Sequence, residues 1–587
     1  MNKKQKKREC GSLGRYFAVF IIPALAIYLI FSILPFMYTI FYSFTDYTDM
    51  NPTNLHFVAF QNYIKVFQTP LMRIAIKNSL IYAILLTGFQ VILGLPIAAV
   101  LNKKLKTRNL LRAVYFFPAV FSSLIIGYLW NFILSSSDYG LINNLLHRFG
   151  LDTINFFTTN RALFSVIFTQ IWQWTGWAMV IFLANLQSIS PELYEAAQID
   201  GANGRQSFFR ITLPLMCPSV KIIVVTGLIG GMKAFDAIYS MTSGGPGNAT
   251  ETVMTVMMKK GISDGFYSVG SAFGVCFFII VLIISGVTTK IMGKWGGGYL
   301  MIKQKSSEMG VSKKEKRGLV ITEIFMILLA AVWFIPIYYL IVTTFKNPQE
   351  ATQSPLGLPK VWVFQNYVDA FVNMQYPRAL FNTVKITVLA VAIIVLVTSM
   401  AGYALARTKS RWGNRIFLLF LAGLVVPFQM NIVSLFKIVK SIGLMNTAWA
   451  VILVDVAINV PQGIFLFKEF VESTIPKELE EAAEIDGCSV IRKFFVIVLP
   501  LLKPVIATVV ILVTLNVWNE FMTPLLFLQS REQDVILQEV SRNIGQFSTD
   551  WTALFPMLML GVAPLMIFYI FMQKYIIAGV SAGAVKG

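Results

Sequence analysis

Two acidic stretches carry the side chains best placed for chemistry, and their pattern suits docking rather than catalysis. The first is Glu195-Ala196-Ala197-Gln198-Ile199-Asp200-Gly201, followed by Ile211-Thr212-Leu213-Pro214. The second is Glu481-Ala482-Ala483-Glu484-Ile485-Asp486-Gly487, followed by Ile497-Val498-Leu499-Pro500. Six residues run from Glu to Gly and thirteen from Gly to Pro in both. Ser190-Pro191-Glu192 reads as a helix start, with Ser as cap, Pro at the first helical position and Glu complementing the helix dipole. Leu193, Ala196 and Ala197 then form one narrow face of small residues, and Gly201 stands where a left-handed turn ends the helix. The second copy repeats the plan with Pro476, Leu479, Ala482, Ala483 and Gly487, behind the poor cap Ile475. A short helix with an alanine face and acidic edges fits closely into a groove of another protein. One copy alone would equally be an amphipathic connector; two at matched spacing favour a device.

The classes of chemistry this leaves are few. The chain has two histidines, His56 and His147, both in expected external loops. It has no acid–base cluster, so neither an enzyme nor a histidine metal site is expected. The four cysteines, Cys10, Cys217, Cys276 and Cys488, form no metal-type pair and imply no disulfide framework. No Gly-x-x-x-x-Gly-Lys-Ser/Thr phosphate loop is present, since Gly244-Gly245-Pro246-Gly247 lacks the lysine. Polar groups inside apolar runs are costly and are therefore candidates for lining a solute path. In the second half these are Asp455, Asn459, Asn516, Trp518, Asn519 and Glu520. In the first they are Gln170, Trp172, Gln173, Trp174, Lys233 and Asp236. Each residue taken singly has an equally physical role as an interhelix hydrogen bond or an interfacial aromatic. Lys233 and Asp236, near the outer end of a span, are spaced to pair with each other.

The elements that must position these residues are membrane helices. Of 587 residues, 56% are hydrophobic and only 13% charged, which excludes an ordinary soluble domain. Apolar runs of membrane-spanning length are expected near 16–44, 77–101, 110–134, 162–186, 218–240 and 269–292. They recur near 319–343, 380–406, 415–436, 447–467, 504–528 and 551–577. The fold class is all-α and polytopic, with about twelve spans. The basic start Lys3–Arg8 precedes an uncleaved first span. The net charge of +20 sits in short loops, such as Lys103–Arg108, Lys290–Arg317 and Arg407–Arg415, and reads as a positive-inside topology with both termini cytoplasmic rather than as nucleic-acid binding.

The chain divides into a first half, 1–300, with its loop at 187–217; a polar junction, 301–318; and a second half, 319–587, with its loop at 468–503. Phe60-Gln61-Asn62-Tyr63 matches Phe364-Gln365-Asn366-Tyr367, in a register that leaves the first half 18 residues longer, at the external stretch 135–161. Such an insertion is expected to carry no packing load. The repeat is a parallel one. A natural fusion, an engineered fusion and two chains joined as one all fit the junction.

With those residues in view, the pattern resembles permease subunits of binding-protein-dependent ABC importers. Phe235-Asp236, Gly244-Gly245-Pro246, Trp518-Asn519-Glu520-Phe521 and the ending Gly579 to Gly587 resemble the carbohydrate branch, the maltose and glycerol-3-phosphate type. The resemblance implies the type I importer permease fold. It implies that Glu195, Ala196, Ala197, Asp200, Gly201 and Pro214, with Glu481, Ala482, Ala483, Asp486, Gly487 and Pro500, form two coupling helices seated on two cytoplasmic ATPase subunits. It also implies that Gly583, Lys586 and Gly587 reach the interface between those subunits, which bind ATP and magnesium. An extracytoplasmic binding protein would deliver a sugar, oligosaccharide or polyol across a prokaryotic cell membrane. The rival reading is an ion-gradient-driven secondary transporter, which needs buried ionisable sites and has no use for duplicated cytoplasmic loops.

Overall fold

The structure is a computed structural model; it describes residues 3–48, 55–103, 105–137, 140–293, 313–408, 410–425, 427–544 and 550–584, with only the backbone described for 3–15, 313–317 and 573–584. The described residues are helical apart from turns and a single bridge between Thr45 and Phe57. Among the described residues, eight helices are long and apolar enough to cross a membrane unbroken: Tyr16–Ser43, Pro70–Leu101, Ala162–Ser188, Tyr267–Met292, Gly318–Thr343, Tyr376–Arg407, Ala448–Thr474 and Trp551–Met572. The other four expected spans are bent pairs. Arg108–Val120 meets Ser123–Ile133 at 97°, Gly204–Leu215 meets Cys217–Met232 at 58°, and Val490–Leu501 meets Lys503–Asn519 at 76°. Arg411–Leu424 and Phe428–Ser441 form the fourth pair.

Proline explains where these runs break, because it removes a backbone donor and clashes with the preceding turn. Pro118 lies in a 3-10 turn at the first bend, where Ser122 Oγ then accepts from Leu124 N and restarts the helix. Pro214 and Pro218 flank the second bend, and Pro500 and Pro504 the third. The last two spans also end earlier than their apolar runs, at Met232 and Asn519, with Asp236–Met241 and Met522–Phe527 as separate short helices.

The packing units cut across the division into halves. One comprises residues 1–68, 257–278 and 375–539, the other 69–256, 279–374 and 540–587. In the first unit the opening helix packs on Tyr376–Arg407 and Ala448–Thr474. There Phe20 sits edge-on to Phe494 at 5.2 Å and tilted against Tyr403 at 5.9 Å. Gly402 and Gly463 let the two long helices of this unit close. A β-carbon on Gly402 would stand 2.6 Å from Phe467 Cβ, and one on Gly463 would stand 2.7 Å from Thr398 Oγ1. In the second unit Gly318–Thr343 packs on Arg108–Phe116 and on the final helix. Tyr115 donates to the Met326 carbonyl at 3.1 Å, and Glu323 accepts from Thr107 N and Oγ1, both at 2.8 Å. Each half therefore lends its opening helix to the unit built on the other half's central helices.

The repeat is reproduced bond for bond. Asn62 Nδ2 donates to the Ser43 and Thr45 carbonyls, and Asn366 Nδ2 to those of Thr344 and Lys346. Asn78 Nδ2 likewise holds the Ala249 and Glu251 carbonyls, and Asn382 Nδ2 those of Glu532 and Asp534. The inserted stretch is more organised than expected. Asn143, 1% exposed, donates to the Ser135 and Ile154 carbonyls and accepts from Ile154 N.

Candidate functional site

Both acidic stretches form nine-residue helices, Pro191–Ile199 and Lys477–Ile485, that end alike. Gly201 has φ +78° and Gly487 φ +77°, values at which a β-carbon is strained. The bonds Ala202 N to Ala197 O, 2.8 Å, and Cys488 N to Ala483 O, 2.9 Å, close the same six-residue turn over the helix end. The expected serine cap bond is not made: Ser190 is extended, but its Oγ has no partner among the described residues. Pro191 at the first helical position already removes one orphan donor, so less is lost there. In the second copy Pro476 itself takes the cap position.

The expected single face of Leu193, Ala196 and Ala197 is split. Ala197 and Ala483 are buried against the body, while Leu193, Ala196 and Ile199 form an outward ridge matched by Leu479, Ala482 and Ile485. Ile199 and Ile485 are both 86% exposed, the largest apolar exposure in either helix. Asp200, Gly201, Glu481, Asp486 and Gly487 lie exposed beside that ridge, with Glu195 half-buried. Beyond the helix, each loop returns through a π-turn, Phe208–Thr212 or Phe494–Val498, into the one-turn helix that holds Pro214 or Pro500.

The anchorage of the two helices differs. Tyr194 and Thr212 share a hydroxyl hydrogen bond of 3.0 Å within the first loop. The equivalent of Tyr194 is Glu480, whose carboxylate accepts from Tyr403 Oη and Arg407 Nε, each at 2.7 Å. Sequence reasoning passed over Glu480, which precedes the repeated motif; the only signal was an acid where the other copy has tyrosine.

The polar residues of the first half converge on a cavity of about 310 Å³. Gln170, Trp174, Lys233 and Asp236 line it, joined by Tyr82, Gln90, Trp177 and Thr226, which the sequence did not single out. A closed amide network sets its wall. Trp174 Nε1 donates to Gln170 Oε1 at 3.1 Å, Gln170 Nε2 to Gln173 Oε1 at 2.8 Å, and Gln173 Nε2 to the Phe121 carbonyl at 2.9 Å. The indole of Trp174 is thereby held as a platform at the cavity edge. Trp172 instead donates to the Trp333 carbonyl and serves packing. Lys233 and Asp236 both line the cavity, with Asp236 near Tyr82.

The second-half candidates are arranged otherwise. Asn516 Nδ2 donates to Asn459 Oδ1 at 3.3 Å, and Asn459 Nδ2 to the Asp455 carbonyl at 2.8 Å. Asp455 is 2% exposed and its Oδ2 has no partner among the described residues. Glu520 caps the next short helix through Thr523 N and Oγ1, at 3.1 and 3.3 Å. Trp518 and Asn519 are half-buried near the end of the same helix as Asn516. No group of three or more metal-ligating side chains occurs among the described residues. Gly583 lies in the final helix, whereas Lys586, Gly587 and junction residues 301–312 lie outside the described residues.

Comparison with known proteins bears on both loops at once. Residues 90–295 and 398–582 each match the family described as binding-protein-dependent transport system inner membrane component. The multiple sugar-binding transport system permease protein MsmF of Streptococcus mutans is 32% identical over 286 residues, 48% of this chain and 97% of its own length. The trehalose/maltose transport system permease protein MalF of Thermococcus litoralis is 33% identical over 50% of this chain and 97% of its own length. A chain of a solved bacterial alginate ABC transporter, in complex with an alginate-bound periplasmic protein, aligns over 48% of this chain with 25% identity and a TM-score of 0.42. With two thirds of its length matched, this chain belongs to the family of binding-protein-dependent transport system inner membrane components and carries the family's domain twice.

Proposed function

We propose that this one chain supplies both membrane halves of an ATP-driven importer for a sugar, oligosaccharide or related polyol. Membership of a binding-protein-dependent family removes the ion-gradient alternative. The observation that carries the reading is the pair of helices stopped by the same left-handed glycine, each leaving a Leu–Ala–Ile ridge exposed. Two such ridges suit two ATPase subunits, one on each. On this reading the residues named in the two loops, Glu195 to Pro214 and Glu481 to Pro500, seat and move with those subunits. ATP and magnesium belong to the partners, because this chain carries no phosphate loop. The tail at Gly583, Lys586 and Gly587 reaches between the partners.

A binding protein on the outer face would deliver cargo, and alternating access of the two halves would pass it inward. Gln170, Trp174 and Asp236 are the first-half residues proposed to meet the cargo. Asp455, Asn459, Asn516, Trp518, Asn519 and Glu520 are their second-half counterparts. An aromatic platform with convergent amides suits a sugar ring, which offers apolar faces and many hydroxyls. The proposed setting is a prokaryotic cell membrane with both termini cytoplasmic.

Intact-complex mass analysis of the gently purified, tagged protein tests this directly. Wild type is expected to carry two ATPase subunits, and the double variant Gly201→Pro/Gly487→Pro to lose them, because proline cannot adopt φ near +78°. Wild type running alone, with uptake driven by an ion gradient, would overturn the reading.

A further inference from the structure

The second docking helix is fastened to a membrane helix by buried charge at Glu480, a position where the first has Tyr194. Glu480 is 6% exposed, yet one carboxylate joins three segments. Its Oε2 accepts from Tyr403 and its Oε1 from Arg407, both in the last turns of Tyr376–Arg407. Arg407 Nη2 also donates to the Ile475 carbonyl at 2.7 Å, at the entrance to the docking helix. Lys493, on the return arm, lies 3.8 Å from Glu480 and 2.5 Å from Glu484. The Tyr403 ring packs 5.4 Å from that of Phe494 on the same arm. Charge-assisted bonds of this length resist distortion, and breaking one would leave a charge buried without its partner.

The same membrane helix is held at its far end as well. Asn382 binds the Glu532 and Asp534 carbonyls, and Thr383 Oγ1 accepts from Ile536 N at 3.0 Å. In the first half the corresponding helix, Pro70–Leu101, has the matching far-end bonds: Asn78 binds the Ala249 and Glu251 carbonyls, and Ser79 Oγ accepts from Val253 N. At the position of Glu480 the first docking helix has Tyr194, which bonds to Thr212 within its own loop.

The geometry points to Glu480 as the positioning residue that makes the second docking helix, Tyr376–Arg407 and the loop at 532–536 one strut. Movement imposed on that helix by an ATPase subunit reaches the far loop through it. In the first half the residue equivalent to Glu480, Tyr194, makes its bond to Thr212 instead. The inference rests on the proposed seating of ATPase subunits on the docking helices.

Hydrogen exchange on the purified complex, with and without ATP, tests it. Wild type is expected to show a nucleotide-dependent change at 530–538. Glu480→Gln should keep the ATPase subunits but shrink that change about fivefold, and Tyr194→Phe should alter it less than about twofold. The swap Glu480→Arg/Arg407→Glu should recover part of the response, which a purely local packing role would not do. An unchanged response in Glu480→Gln, or an equal loss in Tyr194→Phe, would overturn the strut. If wild type carries no ATPase subunit, the functional reading fails on its own. The chain alone then still decides the clamp: Glu480→Gln should speed exchange across 477–487 by about tenfold, and unchanged exchange there would overturn it.

Discussion

The two docking helices have the same length, the same left-handed stop and the same exposed ridge, yet at one equivalent position the first has a neutral hydroxyl bond, at Tyr194, and the second a buried ionic cluster, at Glu480. The lesson is that the outward face and the inward attachment are separate problems. The outward ridge must fit a partner, and if the partners are alike it must be alike in both copies. The inward side has only to meet whatever its own unit offers. In one unit that is Thr212; in the other it is the end of a long helix with Tyr403 and Arg407.

The sharpest way to break this comparison is Arg407→Ala. The side chains of Arg407 and Glu480 are each only 8% exposed, so the variant leaves a carboxylate buried with its nearest cation 3.8 Å away. A loss of about 3 kcal/mol is expected in thermal unfolding in detergent. Tyr194→Phe should cost only about 1 kcal/mol. Equal losses would mean the two attachments are equivalent after all.

Gly201→Ala and Gly487→Ala come next. Neither β-carbon would meet a neighbour, so the cost is backbone strain alone, about 1–2 kcal/mol and the same in both loops. A marked inequality would show that the stops differ in ways their dihedral angles do not.

The caps offer a smaller contrast. Asn203 and Gln206 form a reciprocal capping box with both bonds at 2.9 Å, so Asn203→Ala should destabilise by about 1 kcal/mol. Ser190→Ala should be neutral or slightly stabilising, because its buried hydroxyl has no bond among the described residues. Smallest is Glu484→Gln. Glu484 is 46% exposed, and removing its bond to Lys493 should cost less than about 1 kcal/mol, fading as salt is raised.

How much could be read beforehand follows from the range of the interactions. The helix stops at Gly201 and Gly487 are local events, decided within six residues, and the motif showed them. The serine cap misled because Pro191, one residue on, already supplies the helix start. The bend at Pro118 was visible as a proline, but hydropathy ran through it and merged the pair into one span, 110–134, whereas the expected spans 218–240 and 504–528 begin beyond the bends at Pro214 and Pro500. The cavity was half legible. Gln170, Trp174, Lys233 and Asp236 stood out as polar or aromatic groups in apolar runs, whereas Tyr82 and Gln90, which carry the same sign in the run 77–101, were not singled out.

By itself the sequence determined the membrane class, the duplicated plan and the glycine stops of the two docking helices. All of these rest on composition or on spacings shorter than one helix. Only the tertiary structure decided which unit each opening helix joins, which polar residues share a cavity and what holds each docking helix. Glu480 lies 77 residues from Tyr403 and 73 from Arg407, and a carboxylate and a guanidinium attract equally well at any sequence separation once folding brings them together. Which pair meets is settled by how the helices pack, through close approaches such as Gly402 on Phe467 and Gly463 on Thr398, and that packing depends on the whole unit at once.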